Sequence, residues 1–97
     1  MVMRITTLQV DPAKVEEVVR LIETSIVPAA QQQPGFKQFT VVADRANATI
    51  KGIAIWATEA DVTTSDTSGY YQEQIGKLRP YLTAPAQREV YEVTLQV

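Results

Sequence analysis

The chain has no cysteine and no histidine among its 97 residues. Without thiols it can form no disulfide, which agrees with a reducing cytoplasm, the expected location. Without imidazole or thiolate, the usual ligands of zinc, copper and iron are missing. Ser–His and Cys–His nucleophilic chemistry is excluded, and so is haem held by a His or Cys ligand. A metal would have to be a hard cation on carboxylates, and no acidic cluster has that spacing. Neither a metal nor a bound cofactor is therefore expected. The chain also lacks a basic run: 9 basic and 11 acidic residues are mixed along it, for a net charge of −2, so nucleic acid is not an expected partner. No apolar run reaches the roughly 18 residues of a membrane span, and no membrane association is expected. Met1-Val2-Met3-Arg4-Ile5 leads directly into a strand pattern and does not resemble a signal peptide.

What is present reads as one domain over residues 1–97, with an ordinary hydrophobic fraction of 45%. A chain of this size buries only roughly 60–65% of its unfolded surface, so burial in a dimer would help it. The stretch from Ala48 to Ala57 reads as a central strand ending on the single Trp. Ala48, Ile50, Gly52, Ala54 and Trp56 share one face; Thr49, Lys51, Ile53, Ile55 and Ala57 share the other. The Trp face is small, so something bulky must cover it. Residues 3–10 read as a first strand with Arg4, Thr6 and Leu8 on one face. Asp11-Pro12 starts a helix with Val15, Val18, Val19, Ile22, Ile26 and Ala29 as its buried stripe. Pro28 should kink it or tighten its last turn, and Pro34-Gly35 ends it. Phe36–Ala43 read as a strand, joined to the Trp strand by a hairpin over 43–47. The polar, β-branched run Thr63–Gly69 is a poor helix former, so the second main helix is expected at about 66–79, with Tyr71, Ile75 and Leu78 inward. Gln87–Val97 read as the last strand. The order β-α-β-β-α-β is the ferredoxin-like α+β arrangement: a four-stranded antiparallel sheet with two helices on one face. The other face is expected to carry Leu8, Ile50 and Val42 or their alternates, and to meet a second copy as a homodimer.

The Asp11-Pro12 helix start, Gln32-Gln33-Pro34-Gly35-Phe36 after helix one, and Ile53-Ala54-Ile55-Trp56-Ala57-Thr58-Glu59-Ala60 at the exit of strand three resemble the antibiotic-biosynthesis-monooxygenase-like proteins of the dimeric α+β barrel superfamily. The resemblance spans nearly the whole chain. It implies homodimers whose sheets face each other across a barrel. It also implies, in some members, cofactor-independent oxygenation of phenolic or quinol substrates. Trp56 matches the Trp that ends strand three in that family. The oxygenases carry an Asn four residues before it, where this chain has Gly52. The haem-degrading members supply a His from helix two, and this chain has none.

The candidate site residues are Trp56, Tyr70 and Tyr71 for catalysis, and Arg4, Thr6, Gly52 and Trp56 for substrate binding. Trp56 can stack on a planar substrate or serve as core. A Tyr hydroxyl from position 70 or 71 can hydrogen-bond a phenol or quinol oxygen. Arg4, in a central strand, needs a partner, for which Glu89 and Glu92 of the last strand are the expected candidates; otherwise it stabilises an anion in a cavity. Lys51 carries the same alternatives. Arg79 and Arg88 are expected in solvent or at the dimer edge, and Asp44 and Arg45 in a turn. Thr63–Gly69 reads either as a mobile lid hinged at Gly69 or as a poorly helical connection. Glu89 and Glu92 face opposite sides of their strand and cannot form an acid–base pair. Three functions remain open: a cofactor-independent oxygenase for a small aromatic, a binding module for such a ligand, and a structural dimer. A filled core favours the last; a cavity with Trp56 and a Tyr hydroxyl inside favours the first two.

Overall fold

In the computed structural model, which describes residues 1–97, the strands are β1 (Val2–Gln9), β2 (Phe36–Asp44), β3 (Thr49–Trp56) and β4 (Gln87–Glu92). They form one antiparallel sheet in the order β2-β3-β1-β4. The helices are α1 (Val15–Leu21), α2 (Val27–Gln31), α3 (Glu59–Thr67) and α4 (Tyr70–Leu78). They cover one sheet face, the expected ferredoxin-like α+β arrangement. No helix is long and apolar enough to cross a membrane.

Asp11 opens the first helical layer by accepting a hydrogen bond from the Ala13 N–H. Between α1 and α2 the helix widens into a π turn over Ile22–Ile26, closed by Val27 N–H to the Ile22 carbonyl. Pro28, just beyond, has no N–H to give the carbonyl four residues earlier, which explains a loosening here rather than a sharp kink. The π turn still buries both Ile22 and Ile26.

The second helical layer departs from expectation. Thr63–Thr67 is helical, and the break falls at Ser68-Gly69, with Gly69 in the left-handed region at φ +84°. Two local effects outweigh the few tenths of a kcal/mol per residue that Thr and Ser cost in a helix. Thr58 and Asp61 form a reciprocal capping box, worth about 1 kcal/mol. Val62 and Ser65 are buried against the sheet.

Two apolar clusters form the core. The larger gathers Leu8, Val10, Val15, Val18, Ile22, Ile26, Ala48, Ile50 and Leu78. The smaller gathers Val2, Ala54, Trp56 and Val62. Leu8 and Ile50 therefore lie under the helices and not on the open face as expected. A two-residue repeat shows which residues share a face, but not which face is covered. The open face carries the alternates Met3, Ile5, Ile53 and Ile55, together with Val42 and Tyr91. β4 is shorter than the expected 87–97: pairing ends with Val93 N–H to the Met1 carbonyl.

Candidate functional site

The buried residues of the two core clusters are separate, and the partly buried Phe39 packs against both. Between them, β1 and β3 place Thr6 directly opposite Gly52, a pair with little side-chain volume. Above the pair runs α4, and a cavity of about 50 Å³ remains. Gly52 matters for its close contact: a β-carbon there would approach Phe39 Cζ to 3.2 Å. The cavity is a slot along α4 from Tyr70 to Leu78, about 12 Å by helical rise. Leu8, Ile22, Ile26 and Leu78 make one end apolar; Arg4 and Tyr70 make the other polar.

Arg4 dominates the polar end. Its side chain is 5% exposed and donates from Nη1 to Ser65 Oγ at 2.7 Å. Its guanidinium lies between two rings, 4.1 Å from the Tyr71 centroid and 5.3 Å from that of Trp56. Asp66 Oδ1 stands 3.6 Å away. The same carboxylate accepts both Arg88 nitrogens at 2.6 and 2.7 Å, and the Arg88 guanidinium lies 5.0 Å from the Tyr71 centroid. Tyr71 thus contacts two guanidiniums that share one carboxylate, and its hydroxyl bonds Thr6 Oγ1 at 2.9 Å. Burial lowers the Arg4 pKa, while Tyr71 and Asp66 pull it back up; an arginine remains cationic regardless. The hydrogen bond to Asp66 raises that of Arg88.

This network corrects the expected partners. Glu89 sits opposite Ile5, on the open face, and bonds Tyr91. Glu92 pairs in register with Val2, two residues from Arg4. The carboxylate comes instead from α3, within the run that reads as a lid or loose connection. Arg88, expected in solvent or at the dimer edge, is exposed and also pairs with Asp66 in the same network. Lys51 is exposed on the open face. Asp44 and Arg45 are at the hairpin turn as expected, with Asp44 accepting from Asn47 and Arg45 paired to Glu16.

Of the residues singled out from the sequence, Arg4, Thr6, Gly52, Tyr70 and Tyr71 line the cavity; Trp56 does not. Trp56 is 1% exposed and packs behind Arg4, edge-on to Phe36 at 5.8 Å. A register shift in β2 between Phe36 and Gln38 turns both Phe36 and Phe39 toward this face. The Trp56 indole N–H has no hydrogen-bond partner. Gln74, also lining the cavity, was overlooked because it is polar. Its position three residues after Tyr71 and four before Leu78 was the available signal.

Tyr70 is held at a pKa of about 12, raised by burial against the opposing pull of Arg4. It is a neutral donor near pH 7 and not a base. Above about pH 10 the unfolded chain ionises this Tyr while the folded chain keeps its proton. Stability from this group is therefore complete below pH 10 and lost as pH rises toward 12. Tyr70→Phe should flatten that alkaline limb in denaturant titrations, by on the order of 1 kcal/mol after solvent screening; an unchanged limb would show that Tyr70 is not desolvated.

Residues 1–76 match the family described as antibiotic biosynthesis monooxygenase. The chain belongs to this family. A search of curated proteins returns no match. Among solved structures, it is similar to SnoaB from Streptomyces nogalater, a cofactor-independent oxygenase, at 18% identity and TM-score 0.74, covering 99% of this chain and 95% of that one. It is similar to the monooxygenase ActVA-Orf6 of Streptomyces coelicolor, solved with nanaomycin D, at 21% identity and TM-score 0.75, covering 99% and 89%. A Nitrosomonas europaea protein of unknown function aligns with TM-score 0.80 at 14% identity, covering 99% and 91%. At these identities the likeness shows the family's fold; chemistry must be argued from this chain's own cavity.

Proposed function

We propose that this family member binds a small phenolic or quinol compound in the slot beneath α4 and acts on it as a cofactor-independent monooxygenase. The observation that carries the reading is the polar end of the slot. A buried arginine is fixed between Trp56 and Tyr71 with one nitrogen tied to Ser65, and no protein acceptor engages its Nε or Nη2. The lining includes no carboxylate. Such a site favours the anionic form of a phenol, because a neighbouring cation in a poorly solvated cavity lowers the ligand's pKa. The phenol gives its proton to solvent water and the electron-rich anion reduces O₂ itself: one oxygen atom bonds to the ring, the other leaves as water, and the ring is oxidised to a quinone, while the protein supplies orientation and charge stabilisation. Tyr71, anchored to Thr6, and the neutral Tyr70 face the same oxygen. Trp56 acts from behind, holding the Arg4 plane. At about 50 Å³ the slot is smaller than the ~150 Å³ of an engineered cavity that holds benzene, so a single ring enters by displacing the half-exposed Tyr70 and Ile75.

The absence of a proton acceptor among the lining side chains favours a second reading, a binding protein without chemistry. Oxygen uptake separates the two. With a panel of phenols and hydroquinones, the oxygenase reading expects substrate-dependent uptake above the uncatalysed rate, and its loss in Tyr71→Phe. Ligand binding with no uptake from any panel member selects the binding protein.

The exposed sheet face supports a homodimer. Met3, Ile5 and Ile53, each partly exposed, lie with the buried Ile55 between Val42 and Tyr91, which are 44% and 52% exposed, and the twin sheet of a second copy would cover this apolar area. Ile53→Lys is expected to halve the mass measured by light scattering at micromolar concentration. A wild-type protein that is already monomeric there would rule out the interface.

A further inference from the structure

The slot has a second polar group, whose orientation is set from outside. Gln74 is 6% exposed and lines the cavity beside Tyr71 and Leu78. Its Oε1 accepts a hydrogen bond from Lys77 Nζ at 2.9 Å. Lys77 Nζ donates equally to Ser25 Oγ, also at 2.9 Å, and Ser25 is presented by the π turn between α1 and α2. An ammonium group has no lone pair and can only donate. The oxygen of the Gln74 amide must therefore face Lys77, so its NH₂ group must face the other way. No protein acceptor takes those two N–H bonds.

We infer that Gln74, locked by Lys77 and Ser25, is a specificity-determining donor that reads an acceptor oxygen on the ligand, remote from the oxygen held at Arg4. The inference rests on the proposed reading of the slot as a ligand site and deepens it. Gln74 lies three residues along α4 from Tyr71, about 4.5 Å by helical rise, between the polar end at Arg4 and the apolar end at Leu78. Neither the Arg4 nitrogens at one end nor the Gln74 NH₂ further along can accept a hydrogen bond, and the Tyr70 hydroxyl supplies a hydrogen as well. A ring with a carbonyl or oxyanion opposite its phenolic oxygen satisfies both. A ring with an alkyl group there leaves the amide buried and unpaired, the arrangement by which sites built to hydrogen-bond reject analogues lacking the partner. The positive charge of Lys77 strengthens the effect, since it polarises the amide whose oxygen it holds.

The test uses two phenols of nearly the same shape. para-Hydroxyacetophenone carries a carbonyl where para-isopropylphenol carries a branched alkyl group. At about pH 6 both are un-ionised in free solution. The ketone is the more acidic phenol, so Arg4 adds a preference of its own through the anion, and the part of the ratio that depends on Gln74 and Lys77 is the part that tests the inference. Isothermal titration of the purified protein is expected to show a preference for the ketone of about tenfold or more. Gln74→Leu removes the donor and should lower the ratio of the two dissociation constants by about tenfold, to the part that Arg4 supplies. Lys77→Met removes the lock without touching the slot, frees the amide to turn over, and should reduce the same ratio; Lys77→Arg, which can only donate, should restore it. If the wild-type protein shows no preference, or if the ratio survives Gln74→Leu and Lys77→Met, the inference is overturned. Thermal unfolding of each variant identifies any that fails to fold, and the remaining one decides. The oxygenase reading is judged separately. Selectivity that depends on Gln74 without oxygen uptake supports this inference and removes the oxygenase, whereas uptake with unselective binding does the reverse.

Discussion

Arg4→Met is expected to weaken binding of para-nitrophenolate by roughly 10- to 100-fold, the range of a lost hydrogen bond to a charged group, while leaving thermal stability within about 1 kcal/mol of wild type. The two halves of this result have separate causes. Binding falls because Arg4 is the only cation among the lining residues. Stability holds because the substitution leaves nothing stranded. Asp66 keeps both hydrogen bonds from Arg88, and Ser65 Oγ keeps its own to the Val62 carbonyl. Methionine is long and flexible enough to lie between the Trp56 and Tyr71 rings. The ionic contact given up is a long one, 3.6 Å to Asp66, and it is offset by the cost of keeping a guanidinium 5% exposed. The absorbance of bound para-nitrophenolate and a thermal melt measure the two effects. Intact binding together with a large loss of stability would instead make Arg4 a structural residue.

Asp66→Asn should have the opposite profile and the largest effect on stability. One carboxylate serves two guanidiniums that both lie against Tyr71. Removing its charge leaves Arg4 buried with no counter-ion and facing Arg88, whose like charge already disfavours the Arg4 cation. Breaking a fully buried pair costs about 3–5 kcal/mol. Asp66 is 30% exposed, so a loss of about 2–3 kcal/mol is expected, or roughly 10–20 °C in melting temperature for a domain of this size. The clamp makes a further demand. In the Arg4→Met background the same substitution strands no buried charge and should cost under about 1 kcal/mol. A double-mutant cycle on thermal or urea unfolding measures the difference. Additive effects would mean that Asp66 does not act through Arg4.

The clamp also marks the limit of what could be read along the chain. Arg4 stands out because a charge at mid-strand needs a partner, but a search along strand neighbours points to Glu89 and Glu92. The actual partner is 62 positions away, on a helix that propensity alone argues against. That helix forms because Thr58 and Asp61 cap it and Val62 and Ser65 find burial, and burial is a tertiary event. The alternation in β1 and β3 correctly grouped Arg4, Thr6 and Leu8, and Gly52, Ala54 and Trp56. It could not say which group the helices would cover. Trp56, the most conspicuous residue in composition, supports the cavity from behind, whereas Gln74, inconspicuous among helix residues, lines it.

Composition and order by themselves determined the element sequence, the antiparallel α+β fold and the exclusion of imidazole and thiolate chemistry. Each of these follows from residue type and local periodicity. Only the tertiary structure decided which sheet face is closed, that two clusters leave a slot above Thr6 and Gly52, and that one carboxylate of α3 neutralises two arginines around Tyr71. These depend on where helices land on a sheet, and so on the summed burial of residues far apart in the chain, which no local pattern records.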